Sequence, residues 1–206
     1  DWRTVGDYLN RVEQAGPGID CAYLVPHGQV RRAVLGMEDR RPDEMELDAM
    51  CTVLDSGLRD GAVGFSTGLI YPPCCYADTQ ELIALCRVVA RHNGVFVVHI
   101  RSEGDYALES VGEVIRVARE SGCRLCISHM KLAGERNWGK CSSMLDQVRE
   151  ARSEGVIVTA DQYPYTAGST MMGAILPPWA HAGGKVLDRL GDPIARKKMR
   201  DEILSA

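Results

Sequence analysis

The chain has 206 residues, with 24 Lys and Arg against 28 Asp and Glu, for a formal net charge of −4. Its 45% hydrophobic and 25% charged residues are the make-up of a folded domain, which excludes a disordered tail, a collagen-like repeat or a coiled coil. The slight acidity supplies no general attraction to nucleic acid or to an anionic membrane, so neither is expected as a partner.

The chain opens at Asp1 without an initiator Met or a signal-peptide pattern, and reads as the cut end of a longer chain. A helix is expected around Asp7-Tyr8-Leu9, then a buried strand at Ile19–Val25. Leu47, Met50, Cys51, Leu54 and Leu58 form a helical stripe that ends at Gly61, and a strand at Ala62–Ser66 follows. Asp78 and Glu81, in capping-box spacing, open a helix with Leu82, Leu85, Cys86 and Val89 on its apolar face, closed by Gly94 before a strand at Val95–His99. Leu108, Val111, Val114, Ile115 and Ala118 make the next helix up to Gly122, with a strand at Arg124–His129. Met144, Leu145, Val148 and Ala151 make the last, up to Gly155, with a strand at Val156–Asp161. Each of the four glycines suits the left-handed position past a helix end, and their spacing of about thirty residues is that of a strand–loop–helix unit. From Gln162 to Gly184 there is no Asp, Glu, Lys or Arg, but Pro164, Pro177 and Pro178 mark it as loop and short helix rather than a membrane span.

Strand–helix alternation with short connections predicts an α/β fold with right-handed crossovers, and near-continuous apolar strands predict a parallel sheet covered on both faces. With no low-complexity linker, residues 1–206 form one domain. Cysteines at apolar positions, including Cys21, Cys51, Cys86, Cys123 and Cys126, read as reduced thiols in a cytoplasmic protein.

In such folds the working groups gather at strand C-termini. Alternation puts Val95, Val97 and His99 on one face, as it does Leu125, Ile127 and His129, and Ile157, Thr159 and Asp161. Two imidazoles and a carboxylate then converge at one end of the sheet, a set suited to zinc or to an acid–base pair, although a strand-end histidine also serves as a plain hydrogen-bond partner. Cys123 and Cys126 have CxxC spacing but lie in a strand and point to opposite faces. Cys74 and Cys75 sit in a loop, His27 reads as a loop residue, His92 as surface, and His181 lies in the uncharged stretch. A competing reading is a metal-free, non-catalytic open α/β binding domain that contacts phosphate through the P-loop-like run Gly134–Lys140, with Cys141 in place of the usual Ser or Thr.

The segments GAVGFSTGLIYPP (Gly61–Pro73), VVHIRSEGD (Val97–Asp105), ISHMKLAG (Ile127–Gly134), NWGK (Asn137–Lys140) and TADQYPYTAGST (Thr159–Thr170) occur in that order. Together they resemble the D-aminoacylase / N-acyl-D-amino-acid deacylase family of amidohydrolases, over nearly the whole chain. The resemblance implies a metal-dependent TIM-like barrel, here in part, with the family's β-sandwich domain missing from this chain. It implies hydrolysis of the amide of an N-acyl-D-amino acid with one or two zinc ions, which activate water and polarise the carbonyl, while an Asp carries the proton to the leaving amine. His129 then matches a zinc ligand, with Asp161 or Tyr163 at the place where some members carry a second ligating His. Tyr71, Lys131, Tyr163 and Ser169 match substrate-binding positions, and His99 and Arg101 fall near the pocket. An HxH pair and a bridging Cys would precede Asp1, and the catalytic Asp would lie beyond Ala206, so no catalytic residue is expected within this chain and the chain alone is expected to be inactive.

Overall fold

The computed structural model describes residues 2–205; Asp1 and Ala206, the ends of the expected domain, lie outside the described residues. Five short segments rich in Val, Phe, Ile and Leu pair as parallel strands: β1 (Leu24–Pro26), β2 (Gly64–Gly68), β3 (Val95–His99), β4 (Arg124–Ile127) and β5 (Val158–Ala160). Their order in the sheet is their order in the chain. With right-handed crossovers, a sequential order puts every connecting helix on the same side of the sheet. That layer is α2 (His27–Val34), α3 (Glu44–Arg59), α4 (Thr79–Arg91), α5 (Ala107–Ser121) and α6 (Cys141–Ser153), each packed against the next. A further helix, α1 (Val5–Gln14), precedes β1, while α7 (Val186–Gly191) and α8 (Pro193–Ser205) close the chain. Among the described residues no helix is long and apolar enough to cross a membrane.

Register decides what each strand residue faces. Phe65, Phe96, Leu125 and Val158 lie side by side across β2–β5 and are fully or almost fully buried under the helices. Thr67, Val98 and Ile127 form the next buried row on that side. The opposite face carries Ser66, Val97, Cys126 and Thr159, none of them buried. The expectation of a sheet covered on both faces is therefore corrected. The apolar runs are continuous, but only alternate residues meet the helix layer.

Two strands are shorter than expected. The expected strand Ile19–Val25 pairs only near its end: Ile19 is 79% exposed, Cys21 is exposed, and ladder pairing covers Leu24–Pro26. β5 spans Val158–Ala160 within the expected Val156–Asp161, and Ile157 is largely exposed. The helix stripes are as expected apart from Leu145, which is partly exposed on α6. Gly122 ends α5 at φ 72°, whereas at the end of α4 the left-handed residue is Asn93 (φ 54°) and not Gly94. Gly94 is needed for another reason: a β-carbon there would press on Val89 and on the Val63 carbonyl.

Glu81 departs most clearly from its expected local role. Asp78 caps α4 by accepting the Glu81 backbone N–H at 2.9 Å, but the Glu81 carboxylate does not return to complete a capping box. It turns inward, accepting from Arg31 and lying 2.7 Å from His27 Nε2, with all three side chains buried. His27 Nδ1 meets Thr67 Oγ1 at 2.8 Å, and Arg31 donates to the Arg40 carbonyl at 2.8 Å. His27 is thus the first residue of α2 and part of a sealed ionic network, not a loop residue. Burial alone would depress its pKa, but the neighbouring Cys74 thiol and Glu81 carboxylate outweigh burial and raise it. The network ties α2 and α4 to the end of β2. Glu81→Ala would strand a buried guanidinium, and is expected to cost about 3–5 kcal/mol in urea unfolding; a loss below 1 kcal/mol would contradict this account.

Candidate metal centre

His99 ends β3 on the open face of the sheet, paired with Gly68 of β2, whose lack of a side chain leaves room for the Tyr71 ring. His129 reaches the same point by a different route from the one expected. Leu125 and Ile127 face the helices, so simple alternation would send His129 there too. Instead, after Ser128 donates its N–H to the Val98 carbonyl at 2.9 Å, His129 takes φ 39°, a left-handed value uncommon for a non-glycine residue. Asp161 braces this turn. Its carboxylate accepts the His129 N–H at 2.6 Å and its carbonyl accepts the Met130 N–H at 2.9 Å. The expected convergence on one end of the sheet is met, but by a turn rather than by strand parity.

The two rings then lie 4.6 Å apart, with His99 Nδ1 and His129 Nε2 separated by 3.0 Å. Glu103, four residues after His99, places Oε1 at 2.9 Å from His129 Nδ1, 3.7 Å from His99 Nδ1 and 2.5 Å from Lys131 Nζ. One ligand atom from each of His99, Glu103 and His129 lies within 4.8 Å of the others. The second histidine beside His129 is thus His99. Asp161 is engaged as the brace of the turn, and the Tyr163 ring stands 6.3 Å from the His129 ring. Glu103 belongs to no expected ligand set; its signal in the sequence is a carboxylate four residues past a strand-end histidine.

This donor set fits a zinc-type ion. Burial, reinforced by the charges of His129 and Lys131 and opposed by Glu103, holds the His99 imidazole below its usual pKa, and so in the neutral form that binds metals. His99 Nε2 is buried without a hydrogen-bond partner. A metal here would supply Lewis acidity and an activated water.

Around the donors stand several of the expected substrate residues. The Tyr71 ring lies 5.2 Å from His99, and its hydroxyl meets Thr170 Oγ1 at 2.7 Å. Ser169 precedes Thr170 on the same exposed loop. Lys131 Nζ sits 5.3 Å over the Tyr163 ring, and both residues line a 560 Å³ cleft with Leu132, Trp138 and Met144. Arg101, expected near the pocket, is committed elsewhere. It grips Glu113 through Nε (3.0 Å) and Nη2 (2.9 Å), and donates to the carbonyls of Cys75 (3.0 Å) and Ala77 (2.9 Å). His92, expected at the surface, is half-buried against Asp55 at 2.7 Å, and His181 lies 3.1 Å from the Gly173 carbonyl. The Gly134–Lys140 run does not take the form of a P-loop. Residues Glu135–Lys140 form a 3₁₀ turn, and Lys140 Nζ donates to Asn137 Oδ1 (2.8 Å) and the Asp105 carbonyl (3.3 Å).

The turn at His129 makes its own prediction. Removing the ring while keeping the backbone shape favours glycine, so His129→Gly should be more stable than His129→Ala by about 1 kcal/mol; matched urea unfolding with His129→Ala the more stable would show that the left-handed turn is absent.

No protein-family model matches the chain. Over 166 residues it is 35% identical to the D-aminoacylase of Alcaligenes xylosoxydans xylosoxydans, covering 81% of this chain and 34% of that protein. Over 165 residues it is 40% identical to the N-acyl-D-glutamate deacylase of the same organism, covering 80% and 34%. Among solved structures, the Bordetella bronchiseptica N-acyl-D-glutamate deacylase, complexed with zinc and a phosphonate inhibitor, superposes with a TM-score of 0.76 at 37% identity, covering 79% of this chain and 34% of that one. A D-aminoacylase with a binuclear metal centre superposes at 0.79 and 35% identity, covering 84% and 37%. The chain spans about a third of the length of these relatives. Over that stretch the chain shares both sequence and fold with the D-aminoacylase / N-acyl-D-amino-acid deacylase family of amidohydrolases.

Proposed function

We propose that the chain contributes a metal centre and substrate-facing groups to the hydrolysis of the amide bond of N-acyl-D-amino acids, giving a carboxylate and a free D-amino acid. The observation that carries this reading is the pair of imidazoles, His99 and His129, meeting at 3.0 Å at the ends of neighbouring parallel strands. His99 and His129 would hold a zinc ion, and the ion would supply carbonyl polarisation and an activated water.

The chain's own residues do the binding. Lys131 stands beside the donors and lines the cleft, so it is assigned to the substrate carboxylate. The Tyr163 ring beneath its ammonium keeps that charge oriented toward the cleft. Tyr71, tied to Thr170, offers its hydroxyl beside His99, and Ser169 lies one residue from that bond. Asp161 is occupied with the His129 backbone, so proton transfer to the leaving amine is assigned to none of the residues above. The sequential parallel sheet with helices on one side supports reading residues 1–206 as the central part of a TIM-like barrel. Eight free cysteines support a reducing, cytoplasmic setting.

The test is a chimera in which this chain replaces the matching stretch of the Alcaligenes N-acyl-D-glutamate deacylase. It should release a D-amino acid from N-acyl-D but not N-acyl-L substrates, in a zinc-dependent way, and His99→Ala or His129→Ala should lower that release at least 100-fold. The 206-residue chain alone should release none. A folded chimera without zinc or turnover, or one indifferent to both substitutions, would contradict the reading.

A further inference from the structure

We infer that Glu103 is a positioning residue that sets the tautomer of His129, and through it the direction of the His99–His129 hydrogen bond; this rests on the reading of His99 and His129 as metal ligands. The donors and acceptors around the ring leave little choice. Glu103 Oε1 faces three nitrogens: Lys131 Nζ at 2.5 Å, His129 Nδ1 at 2.9 Å and His99 Nδ1 at 3.7 Å. Lys131 Nζ also lies 3.2 Å from His129 Nδ1 and donates to the His129 carbonyl at 3.3 Å. A carboxylate only accepts and an ammonium only donates, whereas a neutral imidazole does one at each nitrogen.

Two proton arrangements are open to the row. In the first, His129 donates Nδ1–H to Glu103, and its Nε2 accepts Nδ1–H from His99. His99 Nε2, buried without a partner, then carries only a lone pair. In the second, His129 Nδ1 accepts from Lys131 and Nε2–H points to His99. That arrangement sets a carboxylate oxygen against an imidazole lone pair at 2.9 Å and buries a His99 N–H with no acceptor. A buried donor left unmade is costly, and facing lone pairs repel. The first arrangement therefore holds in the metal-free chain, and it puts the His129 lone pair on Nε2, the nitrogen that faces His99. Glu103 would act on His129 as carboxylates act on metal-ligating histidines elsewhere: it fixes the orientation and tautomer of the ring. Its pairing with Lys131 has a second consequence, because it holds the ammonium beside the donors in the absence of substrate.

The experiment uses the 206-residue chain with Glu103→Gln, Glu103→Asp and Lys131→Met. Long-range ¹⁵N–¹H spectra of the metal-free protein report the His129 tautomer directly. The native chain and Lys131→Met should show Nδ1–H, and Glu103→Gln a shift toward Nε2–H. Zinc affinity, measured by competition with a chromophoric chelator, should fall 10–100-fold in Glu103→Gln and recover in part in Glu103→Asp. An Nδ1–H tautomer and a zinc affinity both unchanged in Glu103→Gln would overturn the inference, as would a tautomer that follows Lys131 rather than Glu103. A native chain that shows Nδ1–H governed by Glu103 yet binds no zinc would sink the metal reading and leave the positioning role standing.

Discussion

Asp161 holds the backbone of His129 at the end of β4, and the meeting of the His129 and His99 imidazoles depends on that contact. A parallel strand sends alternate residues to opposite faces, and Ile127 commits this strand's parity to the helix side. Only the left-handed residue at φ 39° redirects the next side chain of that parity, and a non-glycine residue pays for such a value in steric strain. The 2.6 Å hydrogen bond from His129 N–H to Asp161, with the Met130 N–H on the Asp161 carbonyl, offsets that strain by joining the ends of β4 and β5. The carboxylate expected as a metal ligand aims the His129 imidazole instead.

The surroundings keep this end of the sheet stiff. The buried Glu81–His27–Arg31 network fixes Thr67, in the strand whose end carries Gly68 beside His99. Arg101 clamps the carbonyls of Cys75 and Ala77 to Glu113 on α5, which orders the loop that follows Tyr71. Neither group touches the donors, yet both limit how far His99 and Tyr71 can drift. Metal and substrate contacts lose strength quickly with small misplacements, so such supports belong to the function as much as the donors do.

Much of this was legible in the sequence, and the failures share a cause. Helix stripes such as Leu82, Leu85, Cys86 and Val89 are local patterns set by burial on one face, and they read correctly. The meeting of His99 and His129 was anticipated, but through a parity that the register does not follow, because register is fixed by packing between strands and is absent from any one strand's sequence. Glu81 had the spacing of a local cap, and a buried Arg31 fifty residues earlier outcompeted that use. Arg101 shared a motif with His99, but two residues further along the chain it turns to Glu113. Glu103 escaped notice because its partners, His129 and Lys131, come from the next strand's loop. Local patterns encode local structure, while the roles of charged side chains are settled by partners distant in the chain.

The central claim is that a turn, not strand alternation, brings two imidazoles together as ligands of one metal. Zinc K-edge X-ray absorption of the loaded chain addresses it most directly. The account predicts imidazole back-scattering from two histidines at about 2.0–2.1 Å, reduced to one in His99→Ala and equally in His129→Ala. A zinc environment without histidine, or one unchanged by either substitution, would contradict it.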